Sequence, residues 1–543
     1  MSLKQLLFRR KSVEQLTSEA DDHEGPKLNR VLGARDVFNA GVAAIIGTGI
    51  FVLTGVAANQ YAGPGIILSF ILAGLACTFV SFAYAELSSM IPVSGSAYTY
   101  AYATLGEVIA WIIGWDLLLE YAVGNSAVAV GWSAYLQNIF RSLGYQLPDV
   151  LSHAPSSMPW SSVLAAGALC VAGFIGARKS REELRSASGG RRLSMSVSLA
   201  GSLALFGLGL VKSFEVVRHL TSVDLPALFI IVFLNFFLVK GVKHTARMTS
   251  VFVVIKLAVI ALFIVLGITH IHAANYHPFL PFGFHGVLTG AAIVFFAYIG
   301  FDAVTTMSEE CREPQRDVPR GVIGSLLVCT VLYLVVAAIM TGAMSYKLLG
   351  GSEVAAPMAR VLNFLGYWWA SPLISIGAIA GISSVLIVLL FGQSRIMMRM
   401  SRDGLIAPVF GKVHAKYRTP VWSILITGGV VAVMAGLLPI SELAELSNIG
   451  TLAAFVLVCV GVIVLRKRDP NRPRKFRCPG MPWVPALGAL MSFILMLGLP
   501  GLTWLRFVIW MAVGLVIYWL YGSRHSTLNR SAKDPGSCEP PGA

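Results

Sequence analysis

Apolar windows of about 18 to 25 residues recur along almost the whole of this chain, and no other feature constrains its fold as strongly. Each is long enough to cross the hydrocarbon core of a bilayer as a helix, which satisfies its own backbone hydrogen bonds where no water can. The windows are too long and too uniformly apolar for the ~10-residue alternating strands of a membrane barrel. With 543 residues, 56% of them hydrophobic and 13% charged, no single soluble core could absorb so much apolar surface. The fold class is therefore an all-α polytopic membrane protein. Roughly the first 30 residues are polar and hold no apolar core before a small-residue cleavage site, so the first span is expected to act as the targeting signal. The formal charge of +15 falls in short loops between the apolar windows, where it sets topology instead of forming a nucleic-acid patch. Seven cysteines lie singly without CxxC spacing, which argues for packing residues and against a disulfide framework or a zinc site.

Twelve spans are expected, at 36–60, 64–90, 105–136, 223–241, 246–269, 285–308, 320–344, 371–397, 420–438, 442–465, 482–500 and 502–521. They leave an N-terminal tail, 1–35, and a C-terminal tail, 522–543, around a transmembrane domain, 36–521. Basic loops such as "VKGVKHTAR" and "RKRDPNRPRKFR" fall on one side, and loops without Lys or Arg, such as "NQYAGPG" and "LPISELAEL", on the other. By the positive-inside rule both tails are cytoplasmic, in a multi-pass protein of the cell membrane. One segment, 160–212, interrupts the pattern with two short apolar stretches, Ser161–Ala177 and Leu193–Leu210, joined by the basic "RKSREELRSASGGRR". Two readings stand: an inserted transmembrane hairpin, which the positive charge of the joining loop favours and which brings the spans to fourteen, or an external helical pair.

Two spans are broken by glycine. "GVAAIIGTGIF" (41–51) and "GAAIVFFAYIGF" (290–301) share a Gly, an Ala-Ala-Ile step, a later Gly and a Phe, and they open the first and sixth core spans. A lone GxG in an apolar helix fits close helix packing. Paired glycine interruptions at matching places in two halves point instead to discontinuous helices, whose free backbone ends form a site near the membrane midplane.

Several stretches together resemble the amino acid/polyamine/organocation superfamily, and within it bacterial-type members of the cationic amino acid transporter branch. They are "GTGIFVLTG", "YAELSSMIPVSGSAYTYAYATLGE", "GWDLLLEYAVG", "VKGVKHTARMTSVFVVIKLAVI", "GAAIVFFAYIGFDAVTTMSEECREPQRDVPRGVIGSL" and "GQSRIMMRMSRDGLIAPVFGKVHAKYRTP". The resemblance runs from about Leu32 to Trp519 and leaves out the insertion. It implies an inverted five-plus-five helix core with two further helices, working by alternating access as a secondary amino acid transporter. On that reading the unwound Ile46, Gly47, Thr48 and Gly49 present N–H groups at a half-helix start to the substrate carboxylate. Phe296, Ala297 and Ile299 lie in the second break, whose carbonyls would hold the substrate ammonium, and Phe296 would close over it as a gate, with ordinary packing as the alternative.

Ionisable residues inside spans are functional candidates because hydrocarbon disfavours them. Lys256 lies about eleven residues from either end of its span, ~15 Å deep, too far for its stem to reach the interface. It reads as a proton-titrating group, with a carbonyl-bonded structural lysine as the alternative. By resemblance it takes the place of the sodium ion of sodium-coupled relatives, next to Ser383, Ser384 and first-helix carbonyls near Ile46, with the proton as coupling ion. Asp116 and Glu120, four apart, share a helical face. Glu120 is the candidate for the substrate pathway, with structural hydrogen bonding as its alternative, and Asp116 reads as structural. Asp302 lines the pathway or braces the second break. Four histidines in "HIHAANYHPFLPFGFH" lack ordered ligand spacing, and no metal or cofactor is called.

Nucleotide-binding, zinc-protease and serine-hydrolase motifs are absent, so no enzyme is expected. For the substrate, the branch name suggests Arg and Lys. By resemblance, however, Ile382 faces the side-chain pocket, and a branched apolar residue there favours small or medium neutral amino acids. Cationic transport is the alternative, and an amino acid sensor that keeps the transporter fold is the alternative from another class.

Overall fold

The computed structural model describes residues 9–16, 30–154, 191–218, 222–350, 356–438 and 440–529, with isolated helical positions between 169 and 184. Among these residues the one β pairing is an isolated bridge between Leu32 and Cys311. Everything else regular is helical: α1 Ala34–Ile45, α2 Ile66–Met90, α3 Ser96–Thr104, α4 Glu107–Ser142, α5 Arg191–Arg218, α6 Leu225–Lys240, α7 Val242–Gly267, α8 Gly283–Val294, α9 Pro314–Ala343, α10 Pro357–Phe364, α11 Ala370–Arg402, α12 Val421–Leu437, α13 Ile440–Arg468, α14 Trp483–Leu497 and α15 Gly501–Ile517. Seven helical segments among the described residues are long and apolar enough to cross a membrane: Ala34–Met90, Arg247–His270, Gly283–Glu310, Pro314–Ala343, Ala370–Arg402, Leu446–Arg468 and Gly501–His525. Four shorter apolar helices accompany them, Ser198–Val211, Leu225–Lys240, Val421–Leu437 and Trp483–Leu497. This is a polytopic membrane protein.

Two compact units make up the chain, and the larger one comprises Met1–Leu147, Pro226–Gly436 and Ile440–Ala543. Within it α1 packs on α9, α2 on α9, α4 on α11 and α13, and α7 on α11. Small residues bring these helices close, as lipid-embedded packing requires. A Cβ at Gly41 of α1 would meet the Ser325 side chain of α9 at 2.2 Å, and one at Gly377 of α11 would meet Val259 of α7 at 2.2 Å. Cys77, Cys311, Cys329, Cys459 and Cys478 are buried free thiols.

The smaller unit comprises Pro148–Leu225 with Leu437–Pro439 and contains α5. The first apolar stretch expected there, Ser161–Ala177, lies largely outside the described residues. The positions that are described run antiparallel to α5: Gly173 abuts Phe206, Gly176 abuts Ser202, and the Ser180 and Ser198 hydroxyls are 2.9 Å apart.

Charged residues gather at one end of the larger unit and draw the N-terminal segment into it. Arg9 pairs with Glu107 at 2.9 Å, and Lys11, 3% exposed, pairs with Asp403 at 2.7 Å. Asp403 also accepts from Tyr98 Oη at 2.6 Å and faces Arg399 Nε at 3.3 Å. Glu86 is wholly buried between Arg466 and Arg474 and accepts from the Cys478 amide. Burial alone would raise the Asp403 carboxyl, but Arg399 and Lys11 outweigh it and hold the group below the ordinary carboxylate range. A carboxyl depressed on folding adds stability above its unfolded value, ~3.9, and loses that contribution as pH falls through its folded value. Asp403→Asn would leave Lys11 and Arg399 without their counter-charge, at a cost on the order of 3 kcal/mol. The expected result is a lower unfolding temperature of the purified protein at neutral pH, with the difference from the native protein shrinking in acid.

Candidate functional site

The first break begins where α1 ends. Ile46 leaves the helix in an extended conformation (φ −78°, ψ 99°), and helix resumes as a π-helical turn, Gly49–Leu53. No backbone carbonyl among the described residues accepts from the amides of Gly47 and Thr48. The Thr48 hydroxyl, on a residue 1% exposed, also has no partner. Buried donors are normally satisfied, so these three groups stand out as ones the described chain leaves open.

The second break follows α8. A 3₁₀ turn, Phe295–Tyr298, gives way to Ile299 (ψ 134°) and then Gly300 at φ 119°, in the left-handed region that favours glycine. Space demands glycine there as well, since a Cβ would lie 2.8 Å from the Ala44 Cβ. The two breaks touch directly: a Cβ on Gly49 would lie 2.3 Å from Ala297 Cα.

Tyr333, on α9, ties the breaks together. Its hydroxyl lies 2.6 Å from the Ile45 carbonyl and 2.7 Å from the Ala297 carbonyl, the single proton serving either acceptor. Sequence reasoning missed this residue. The available signal was a lone tyrosine in the apolar run "VLYLVV", where a phenolic hydroxyl must find a partner inside the protein. Tyr333→Phe keeps the ring packing on Phe70 and Tyr298 but leaves two carbonyls without a donor, costing about 1–3 kcal/mol. The expected outcome is weaker substrate binding with little loss of folded protein, read as a raised KM for uptake.

A cavity of ≈ 10 Å³, room for about one water molecule, opens between the breaks. Gly47, Thr48, Gly49, Phe296 and Ile299 line it, joined by Val385 of α11. Five of the sequence candidates are thus brought to one place. Ile46 and Ala297 contribute backbone beside it. Ile382 is fully buried on α11 but does not line the cavity, whereas Val385, one turn further on, does. The residue of that helix facing the gap is thus Val385 and not Ile382, because the packing of the helix decides which of its side chains turns inward.

Lys256 lies wholly buried on α7 with its ammonium at the end of α1. It donates to the carbonyls of Val42 at 2.9 Å, Ala43 at 3.0 Å and Ile46 at 2.9 Å, and contacts Ser384 Oγ at 3.0 Å. No carboxylate pairs with it among the described residues. Its place as a cation on the negative end of the first half-helix follows the helix dipole. Ser384 meets it as expected, but Ser383 does not: the Ser383 hydroxyl accepts from Trp132 Nε1 at 3.0 Å, because adjacent residues on a helix point about 100° apart.

Asp302 braces the second break, accepting from the Gly300 amide at 3.2 Å and from the Tyr121 hydroxyl at 3.0 Å. Glu120 is 2% exposed and neither of its oxygens has a hydrogen-bond partner. It does not line the cavity; Asp302, Asp116 and the Thr451 hydroxyl are its polar neighbours.

Comparison with known proteins shows the family. The amino acid permease family model matches residues 32–521. The chain belongs to the amino acid permease family. The permease is 43% identical over 528 residues to a branched-chain amino acid permease of Bacillus subtilis, covering 97% of this chain and all of that protein. It is 42% identical to a methylthioribose transporter of the same organism, covering 96% and 99% of the two chains. A vacuolar cationic amino acid transporter of Arabidopsis thaliana is 32% identical, over 86% of this chain and 68% of its own length. Cationic transporters are thus the more distant relatives of this permease, which is a transporter and not an enzyme.

Proposed function

We propose that the permease carries small or medium neutral amino acids, branched-chain ones foremost, together with a proton, by alternating access across the plasma membrane. The observation that carries this reading is the cavity between the two breaks. Unsatisfied amides at Gly47 and Thr48 suit a carboxylate, and the carbonyls of the second break suit an ammonium, so an α-amino acid backbone is held at both ends. Beyond the backbone groups the lining includes Phe296, Ile299, Val385, Leu389 and Val128, with no acidic side chain among its described residues to receive a cationic substrate. In the inverted five-plus-five arrangement, with both tails cytoplasmic, Phe296 covers the substrate as the gate. Lys256 and Ser384 form the coupling site, where the ammonium stands in the place of a metal cation. A cavity of one water's size must widen as substrate enters, so the described conformer is a closed one.

A substrate-competition panel on the reconstituted permease tests the reading. Leucine, isoleucine and valine are expected to displace one another and arginine to compete poorly; methylthioribose belongs in the panel because a similar protein is named for it. Dominance by arginine, or binding without any uptake as in a sensor, would overturn the proposal. Val385→Ala is expected to shift preference toward larger side chains by about tenfold in kcat/KM, the effect of one or two methyl groups in an apolar pocket.

A further inference from the structure

Away from the transport cavity, Asp116 is a polar group for which neither break has a use. It is 3% exposed on α4, and its Oδ1 is buried without a hydrogen-bond partner. No ion pair reaches it among the described residues. The fold nevertheless makes room for it. A Cβ at Gly450 of α13 would lie 2.6 Å from Asp116 Oδ1, so any larger residue there would push the carboxylate aside.

The carboxylate lines a second cavity, of ≈ 270 Å³, between α4, α13, α14 and α15. Its other walls are apolar and include Ile113, Val456, Phe493, Met496, Phe507 and Met511. Exposed apolar side chains surround its mouth, as on a helix face turned to lipid: Phe493 is 46% exposed, and Leu497 and Val508 on α14 and α15 are exposed too. A ligand would therefore arrive through the hydrocarbon and not from water. The space exceeds the ~150 Å³ of an apolar cavity that takes benzene.

We propose that this cavity is a binding site for a lipophilic primary amine, with its ammonium on Asp116 and its hydrocarbon body against the Phe and Met walls. An unpartnered carboxylate ion is costly in such surroundings, so the empty site holds the acid; a primary amine that enters uncharged takes its proton, and the resulting ammonium and carboxylate are joined by a charge-assisted hydrogen bond. The aromatic rings and thioethers favour a cation at the polar end and adapt to an alkyl chain at the other. A neutral alcohol is too weak a base to take that proton and offers only an ordinary hydrogen bond. Occupancy would be felt one helical turn away at Glu120, and through it at Asp302 on the second break.

The test uses the full chain in nanodiscs of zwitterionic phospholipid, with n-octylamine as probe and n-octanol as control. Octylamine is expected to raise the unfolding temperature saturably, and octanol is not. Asp116→Asn should weaken the octylamine effect by about tenfold or more, the loss of one charge-assisted bond. Ala453→Phe, which fills the cavity and keeps the carboxylate, should abolish it. A photoreactive alkylamine should label the segment carrying Phe507 and Met511, which decides the matter even where Asp116→Asn fails to fold. Equal responses to amine and alcohol, insensitivity to both substitutions, or labelling confined to other segments would overturn the proposal.

Discussion

Lys256→Ala is expected to abolish concentrative uptake, leaving internal and external substrate at equal concentration while counterflow exchange survives. Among the described residues the ammonium is the one cation against the carbonyls of Val42, Ala43 and Ile46, at the end of α1 before the break, and it joins them to Ser384 of α11. Protonated, Lys256 holds three elements together; on losing its proton it gives up the charge that favours this grip on the negative end of α1. On the proposed coupling, uptake by the native permease rises as external pH falls and needs no sodium. Proteoliposomes with an imposed proton or sodium gradient provide the measurement. Substrate-protected thermal unfolding of the variant shows separately that its binding half-helices persist. Accumulation driven by sodium alone, or proton-driven accumulation unimpaired in Lys256→Ala, would return Lys256 to a purely structural role.

Gly49→Val is expected to eliminate uptake altogether, and Gly49→Ala to reduce it strongly. From sequence the glycine admits a substrate carboxylate close to the backbone. The structure adds a second and stronger reason, because the missing Cβ would fall 2.3 Å from Ala297 Cα and equally close to its Cβ. Backbone on both sides of that contact cannot rotate away as a flexible side chain could, so the breaks must separate. Separation would also strain the shared Tyr333 hydroxyl, whose two acceptors come one from each break. Loss of transport should therefore come with a lower unfolding temperature. The Gly47 position provides a contrast, since a Cβ there meets the side chain of Val385, which can shift. A folded Gly49→Val permease with normal uptake would remove this contact from the site.

Much of the permease was legible in its sequence because the signals are local. Long apolar windows can satisfy their backbone in lipid only as helices, which settles the class. Glycines recurring in "GVAAIIGTGIF" and "GAAIVFFAYIGF" mark where helices stop, and breaks are found at Ile46–Gly47 and Ile299–Gly300. Lys256, at the middle of its helix, was bound to be buried and to require carbonyl or hydroxyl partners.

Tertiary structure decided whatever depends on which faces of separate helices meet. Ser383 and Ser384 are adjacent and chemically identical, yet one turns to Trp132 and the other to Lys256. Ile382 and Val385 are equally apolar, and only Val385 reaches the cavity. Tyr333, Arg9 and Lys11 gain their roles from partners far away in the chain, and no spacing within a single helix carries that information. The sequence by itself determined the helices, their interruptions and the presence of an isolated buried cation. The packing of those helices determined which carbonyls the cation holds, which side chain shapes the pocket, and that the two breaks press on each other through Gly49. The physical reason is that a helix displays its residues around the full circle, and only its neighbours select the face that acts.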